Sequence, residues 1–436
     1  MQYRSLFTAT ILTACLLHPA HAQSAETSSA CGNFTILINS LSTLRAAQRC
    51  TTAPGDIVIE YGSDLPTAIQ FPLLREVEGS FLSIDFREEI RAQRLSAPNL
   101  TSITGDLYIS SWVDLTTIDM PILKSTSRIR LNDLPALTNA SFLASLESIE
   151  NNYEVWNTSL TEITNDKLPY AIFVEIYDNP RLRKVELSAL KNASYDVALK
   201  RNRPGLEVSL PELEEVWYFE VQGAASIAIP KLESAIGHFV VNMSSLERLE
   251  APVLKTIGTW YDPTGVITDN LGLIVENCPE LTNMSFPVLE SVQLDLILKN
   301  NSALRTVNFP ELERVTRNVL IQGSLSSVSM PELERVGAVF YLGSDSSRFD
   351  CSPFDRLKSS GGIRGDFSCP GFKEPPARNT TRTVSKSDID SWLEWSDPEG
   401  SPANVDGVPD ATIPSVTIPS ATIFVVCVVV ALLQVI

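Results

Sequence analysis

One heptad recurs along this chain almost letter for letter. It reads FPELERV at 309–315, MPELERV at 330–336 and LPELEEV at 210–216. Looser copies are FPLLREV from Phe71, APNLTSI from Ala97, MPILKST from Met120, IPKLESA from Ile229, APVLKTI from Ala251 and FPVLESV from Phe286. The shared form is apolar-Pro-x-Leu-x-x-apolar. Pro287, Pro310 and Pro331 are 23 and 21 residues apart, and Pro211, Pro230 and Pro252 are 19 and 22 apart. A repeat of that period is the mark of a solenoid. At 436 residues the chain is also too long for one ordinary core.

Each heptad is followed by a short strand signal, such as LYIS, FVV, NVLI or VFYL. A second half-motif places Asn three or four residues before Leu: Asn157/Leu160, Asn179/Leu182, Asn202/Leu206, Asn242/Leu246, Asn277/Leu281 and Asn301/Leu304. One coil is then strand, Asn corner, Leu turn, Pro-Leu turn. No coil can bury its own Leu and Val, but stacked coils join them into a continuous column. Parallel strands satisfy one another's backbone groups, and proline holds its segment in a turn. The fold expected is mostly β: a right-handed parallel β-solenoid, leucine-rich-repeat-like, of about a dozen short coils over 56–344. The Glu and Arg of the heptad read as its solvated face.

Solenoids need caps. FTILINSLSTLRAAQRC, within an N-terminal cap at 23–55, reads as a short amphipathic helix closed by Cys50. CSPFDRLKSSGGIRGDFSC, within a C-terminal cap at 345–370, reads as a helix or loop closed by Cys369. The spacings predict disulfides Cys31–Cys50 and Cys351–Cys369, which pin those caps, and leave Cys278 as a buried thiol.

The ends point outside the cell. Residues 1–22 carry Arg4, an apolar run and Ala-His-Ala, a secretory signal cut before Gln23. The last residues, IFVVCVVVALLQVI, are uncharged. They follow a spacer and the small residues Asp410, Ala411 and Thr412. This is the pattern of a glycosylphosphatidylinositol (GPI) anchor signal over 411–436. Asp410 fits best as the attachment residue, ahead of Asn404 and Asp406, with 371–410 a polar linker. N-glycosylation sequons stand at Asn33, Asn99, Asn139, Asn157, Asn192, Asn242, Asn283, Asn300 and Asn379. The charge is −18, from 34 basic and 52 acidic residues, which disfavours nucleic acid as a partner.

No metal, cofactor or catalytic fingerprint is present. After loss of the leader, His238 is the one histidine left, inside a strand signal. Aromatics recur near strands: Trp112, Trp156, Trp217 with Tyr218 and Phe219, and Trp260 with Tyr261. They are either core and edge packing or rings that stack on sugars. The interval from Pro252 to Pro287 is about a dozen residues longer than one coil. Its surplus, TWYDPTGVITDN, makes Trp260, Tyr261 and Asp262 candidates for a ligand or partner surface.

CTTAPGDIVIEYG after a cysteine-closed helix resembles the receptor L-domain. Signal peptide, cysteine-pinned caps, PxLxxV coils rich in sequons and a GPI tail together resemble the fungal GPI-anchored cell-wall organisation proteins of the sporulation-specific/extracellular-mutant family. The resemblance covers 31–369 and both ends. It implies a non-enzymatic role in wall assembly and integrity, with wall polysaccharide or wall glycoproteins as partners and the plasma membrane reached through the anchor. Two other readings stay open: a polysaccharide-cleaving β-helix with paired carboxylates, and a receptor-like ectodomain that binds a protein or peptide.

Overall fold

The computed structural model describes residues 30–83, 90–258, 272–346 and 349–370. All lie within the unit Met1–Val384. They form a parallel β-solenoid of about 14 turns, more than the dozen expected. The extra stacking lies at the two ends, where Thr35–Ile38 joins Asp56–Ile59 and Phe340 joins Phe367; within the array some heptads lack proline. Residues 187–193 read LSALKNA, yet the Leu190 N–H still donates to the Leu187 carbonyl at 3.2 Å.

The coil at 296–315 shows how the sequence is used. Leu296–Lys299 lies in the main sheet, Thr306–Asn308 on a second face, and Arg314–Val315 closes the turn. Each stacks on its counterpart one coil on: Leu296 on Val319, Thr306 on Ser327, Arg314 on Arg335. The first four heptad residues form a β-turn. Leu213, Leu232, Leu254 and Leu333 donate N–H bonds back to Leu210, Ile229, Ala251 and Met330 at 3.2–3.4 Å. Proline occupies the second turn position, where its fixed φ is favoured and its missing N–H is not needed. The last heptad residue forms an inward column, Val216–Ala235–Ile257–Val292–Val315–Val336, each member fully buried. Glu214, Glu233, Glu290, Glu313 and Glu334 are exposed, so the heptad acids do form the solvated face.

The asparagine corner holds at three of the positions named. Asn179 is fully buried. Its Nδ2 donates to the Val155 carbonyl of the previous coil at 3.0 Å, and its Oδ1 accepts from Thr158 N at 2.9 Å. Asn202 and Asn301 repeat this with the Ile176 and Val275 carbonyls at 2.7 and 2.9 Å. Asn157, Asn242 and Asn277 are corrections. Asn157 and Asn277 sit one residue earlier, at φ 48° and 54°, in the left-handed conformation that asparagine tolerates. Their inner-corner neighbours are Thr158 and Cys278. Asn242 ends a strand, two residues before the corner residue Ser244.

Both ends are closed. At the N-terminus half of the expected helix is a strand: Thr35–Ile38 pairs with Asp56–Ile59, so coil stacking begins before residue 56. TILI alternates inward and outward, and the chain turns helical only at Leu41–Ala47, where Ser40 and Thr43 form a capping box. At the C-terminus Ser352–Ser359 is a helix whose Phe354 packs on Phe340, with ring centroids 4.9 Å apart. Disulfides join Cys31 to Cys50 and Cys351 to Cys369. Cys278 is free and buried.

From Tyr170 to Asn242 the post-heptad strand and the main-sheet strand fuse into one long bent strand. These are Tyr170–Tyr177, Asn192–Lys200, Glu215–Gln222 and Ser234–Asn242. Register shifts at Ala171/Phe173, Ala193/Asp196 and Val216/Tyr218 mark bulges, which bend a strand and re-aim its side chains.

Candidate functional site

The long strands, with Asn152–Thr158 beside them, give the main sheet an unusual outer face. Along each strand, alternate residues such as Tyr153, Val155, Val174 and Ile176 enter the core, so the residues between them point out. Parallel register then aligns the outward residues in three columns along the solenoid. The middle column runs Arg130, Glu154, Glu175, Ala198, Glu220. One flank runs Phe173, Asp196, Tyr218, His238, and the other Trp156, Tyr177, Lys200.

The flanks are aromatic ribbons. Trp156 stacks on Tyr177 at 5.7 Å between centroids, and the Arg130 guanidinium lies 5.7 Å over Trp156 and 5.2 Å over Tyr108. On the other side Tyr195, brought out at the bulge, lies 4.6 Å from Phe173, 5.9 Å from Trp217 and 5.4 Å from Tyr218. Tyr218 stacks on His238 at 4.5 Å. Gly237 makes room for that stack, because a Cβ there would lie 2.2 Å from Tyr218 Cε1.

Between the ribbons lies an acidic seam floored by Ala198. Much of its charge is matched. Glu154 is buried against Arg130, which is held above its ordinary basicity mainly by that hydrogen bond. Glu220 pairs with Lys200. Burial, and secondarily the Glu154 charge, pushes the Glu175 carboxyl up. Burial also pushes Asp196 up to about 7, against the pull of Lys200. It pushes His238 down to about 4. Several polar atoms have no hydrogen-bond partner: Trp156 Nε1, Asp196 Oδ1 and both His238 ring nitrogens. These atoms are themselves buried, and the Trp156 and Tyr177 ring faces are covered by each other and by Arg130, Lys200 and Arg201.

The expected aromatics divide. Trp112 is core, its Nε1 donating to Ser83 Oγ at 2.6 Å, and Phe219 is core, stacked 4.8 Å from Phe239. Trp156, Trp217, Tyr218 and His238 belong to the outer face. Phe173, Tyr177, Tyr195 and the seam acids were not singled out from the sequence. Their signal is Glu flanked by apolar residues and followed by an outward residue: EVW at 154–156, EIY at 175–177, EVQ at 220–222. Trp260, Tyr261, Asp262, Asn379, Asp410 and the two terminal processing segments lie outside the described residues. Among the sequons, Asn33, Asn99, Asn139, Asn283 and Asn300 are exposed. Asn157 is half-buried with its Nδ2 on Asp133 at 2.8 Å, and Asn192 and Asn242 are half-buried in the strands.

An open groove of about 500 Å³ lies elsewhere, between Lys191, Glu214, Glu215, Glu233 and Lys255. It runs along the solvated heptad face and also touches Asn192, whose Oδ1 has no partner. Among the described residues no three His, Cys, Asp or Glu side chains are grouped to hold a metal, and no helix is long and apolar enough to cross a membrane.

No family model and no solved structure matches the chain. Curated relatives do. It is 31% identical over 342 residues to Protein ecm33 of Aspergillus fumigatus, covering 78% of this chain and 81% of the relative. Cell wall protein ecm33 of Schizosaccharomyces pombe is 27% identical over 348 residues, 79% of this chain and 78% of that one. Cell surface GPI-anchored protein ECM33 of Candida albicans is 27% identical over 342 residues, 78% of each. With that identity to the Aspergillus protein over most of both lengths, the chain belongs to the Ecm33 family of fungal cell-wall and cell-surface proteins.

Proposed function

We propose that this chain is a GPI-anchored, N-glycosylated scaffold that organises the fungal wall without catalysing a reaction. It is held to the outer leaflet through Asp410 once 411–436 is removed. The observation that carries the reading is the outer face of the long strands. A stack of coils holds aromatic rings and charged side chains in register along one face, with Arg130 paired to Glu154 and Lys200 to Glu220, and that suits holding a partner in place. Family membership supplies the wall.

The test is a deletion strain, scored for growth on wall-perturbing dyes and complemented with the chain. Restored growth supports the reading. Unchanged wall integrity on deletion would sink it. Release of the protein by a phospholipase that cleaves phosphatidylinositol, lost when 411–436 is replaced by a polar tail, tests the anchor.

One observation favours a second reading. Glu175, Asp196 and Glu220 surround Ala198, and burial raises the first two, as it does for a general acid in polysaccharide cleavage. Release of reducing ends from wall polysaccharide by the purified chain, abolished in Asp196→Asn, would establish it.

A further inference from the structure

We propose that N-glycans at Asn33 and Asn99 cover the apolar surface that the first coils leave open, and that they keep this end of the solenoid from joining a second copy. This rests on the N-glycosylated reading of the chain and states what two of its glycans do.

Among the described residues, four exposed large side chains are pure hydrocarbon: Phe34, Leu37, Leu73 and Ile122. All four lie beside an exposed sequon asparagine. Phe34, which is 84% exposed, directly follows Asn33, and Leu37 is 40% exposed on the strand Thr35–Ile38 that comes next. That strand pairs with Asp56–Ile59 on one side. Its other side is a sheet edge, a ready template for a strand from another chain. At the opposite end of the sheet the last strand, Phe367–Ser368, is only two residues long, and shortness blunts an edge. The N-terminal edge is longer and carries an open phenyl ring beside its sequon.

The second pair sits on the heptad. Leu73, Asn99 and Ile122 occupy its third position in three copies, where other copies carry Glu212, Lys231, Glu311 and Glu332. The three turns stack: the Thr101 N–H donates to the Arg75 carbonyl at 2.8 Å, and the Lys124 N–H to that of Thr101 at 2.9 Å. Asn99 therefore stands one coil, about 4.8 Å, from an open leucine on one side and an open isoleucine on the other. Single exposed apolar residues are ordinary. Two that bracket a sequon, at a position where the repeat elsewhere writes charge, are not scattered singly.

The Asn99 side chain is set to carry a cover. Its Nδ2 donates to the Pro72 carbonyl at 2.7 Å. In glycosylation Nδ2 bonds to the anomeric carbon of a lipid-linked oligosaccharide, the bond from that carbon to the lipid diphosphate breaks, and one Nδ2 proton leaves. The second proton stays, so the bond to Pro72 survives and holds the first sugar at the turn that carries Leu73. A sugar ring has faces of C–H bonds, which bury apolar side chains, and rim hydroxyls, which stay in water. A glycan is also bulky, so one at Asn33 bars a second strand from Thr35–Ile38.

The experiment uses the full chain, purified in detergent from an expressing fungus, as wild type, Asn33→Gln and Asn99→Gln. Asn283→Gln is the control, since that sequon is exposed but has none of the four side chains beside it. Glycopeptide mapping gives occupancy, hydroxyl-radical labelling reads access to Phe34, Leu73 and Ile122, and analytical ultracentrifugation reads self-association. Expected are glycans at Asn33 and Asn99. Phe34 labelling should rise in Asn33→Gln, and that of Leu73 and Ile122 in Asn99→Gln, each with loss of monomer. Adding Phe34→Ser to the first variant, or Leu73→Ser and Ile122→Ser to the second, should restore the monomer. Asn283→Gln should match wild type. An amidase that cleaves the Asn–sugar bond of the folded wild-type chain should give the same rise in labelling, which keeps the test decisive if a variant fails to fold.

Labelling and monomer content that glycan loss leaves unchanged overturn the proposal. So does self-association that the serine substitutions fail to relieve. Bare Asn33 and Asn99 with glycans on other sequons overturn the covers and leave the glycoprotein reading standing, whereas a chain with no glycan at any sequon sinks both.

Discussion

Asp196 is a carboxyl that folding works against, and Asp196→Asn should expose this as a pH slope. Its side chain faces out beside Tyr218 but is mostly covered, and one oxygen has no partner. Burial raises it from its ordinary 3.8 to about 7. Below pH 3.8 both folded and unfolded chains hold the proton and the group is neutral to stability. Between 3.8 and 7 the unfolded chain ionises while the folded one does not, so stability falls as pH rises, at about 1.4 kcal/mol per pH unit. Above 7 the full cost, about 4 kcal/mol, is present. Asparagine cannot ionise. Relative to wild type, Asp196→Asn should therefore gain about 3 kcal/mol between pH 5 and pH 8. His238, lowered to about 4, has the opposite sign: its stability is present above 6.5 and lost as pH falls toward 4. That contribution is common to both proteins and cancels in the comparison. A long repeat array need not unfold in one step, so the assay is hydrogen exchange of the amides in Asn192–Lys200, read as local opening free energy. An equal difference between variant and wild type at both pH values would refute the reasoning, because it would mean that Asp196 ionises in the fold as it does in water.

Four other outcomes follow from single groups. Tyr153 is fully buried with an unpartnered hydroxyl, so Tyr153→Phe should stabilise the chain by about 1–2 kcal/mol in chemical unfolding. Loss of stability would mean that the hydroxyl is satisfied. Gly237→Ala should push aside the Tyr218 ring at a cost of about 1–3 kcal/mol and change the near-UV spectrum; an unaltered spectrum would contradict the packing. Cys278 is buried and its thiol is pushed up to about 11, so alkylation at pH 8 should modify it only after denaturation, with peptide mapping as the check. Glycan mapping should find Asn99, Asn139, Asn283 and Asn300 occupied and Asn192 empty. Its Oδ1 is buried, and a glycan there would mean that the start of that strand opens.

The repeat was legible because stacking leaves little choice. A residue that must contact its counterpart in the next coil is constrained by it, so Leu213, Leu232, Leu254 and Leu289 share one letter and one buried column. The corners were less legible for a specific reason. Asparagine suits the inner corner, where its amide joins coils, and also the left-handed residue just before it. Asn157 and Asn179 are the same letter doing different jobs, and only the hydrogen bonds tell them apart. Trp112 and Trp156 pose the same problem: Trp156 points out from its strand, whereas Trp112 lies two residues past the end of Asp106–Ser110, after the left-handed Ser111, and enters the core at the corner.

The outer face was harder still to read, because its members are scattered. Glu154, Glu175 and Glu220 are separated by 21 and 45 residues and become neighbours of one seam only through parallel register. Yet the repeat itself indicates where to look. The near-identical heptads stand at 210–216, 309–315 and 330–336, and where the copies at 286–336 lie, the middle outward column is the plain apolar set Ile274, Ile297 and Leu320. Between 152 and 200 the heptad loses its proline, the strands lengthen and bulge, and that same column turns to Glu154, Glu175 and Ala198. The coils still stack in parallel register on either side of the bulges, so stacking alone does not require acids in that column. Letters that depart from the repeat while the coils still stack are free of the scaffold's constraint. Buried carboxyls and unmet ring nitrogens there cost stability, as Asp196 does. A face that carries these costs across successive coils is where the wall-scaffold proposal is best tested.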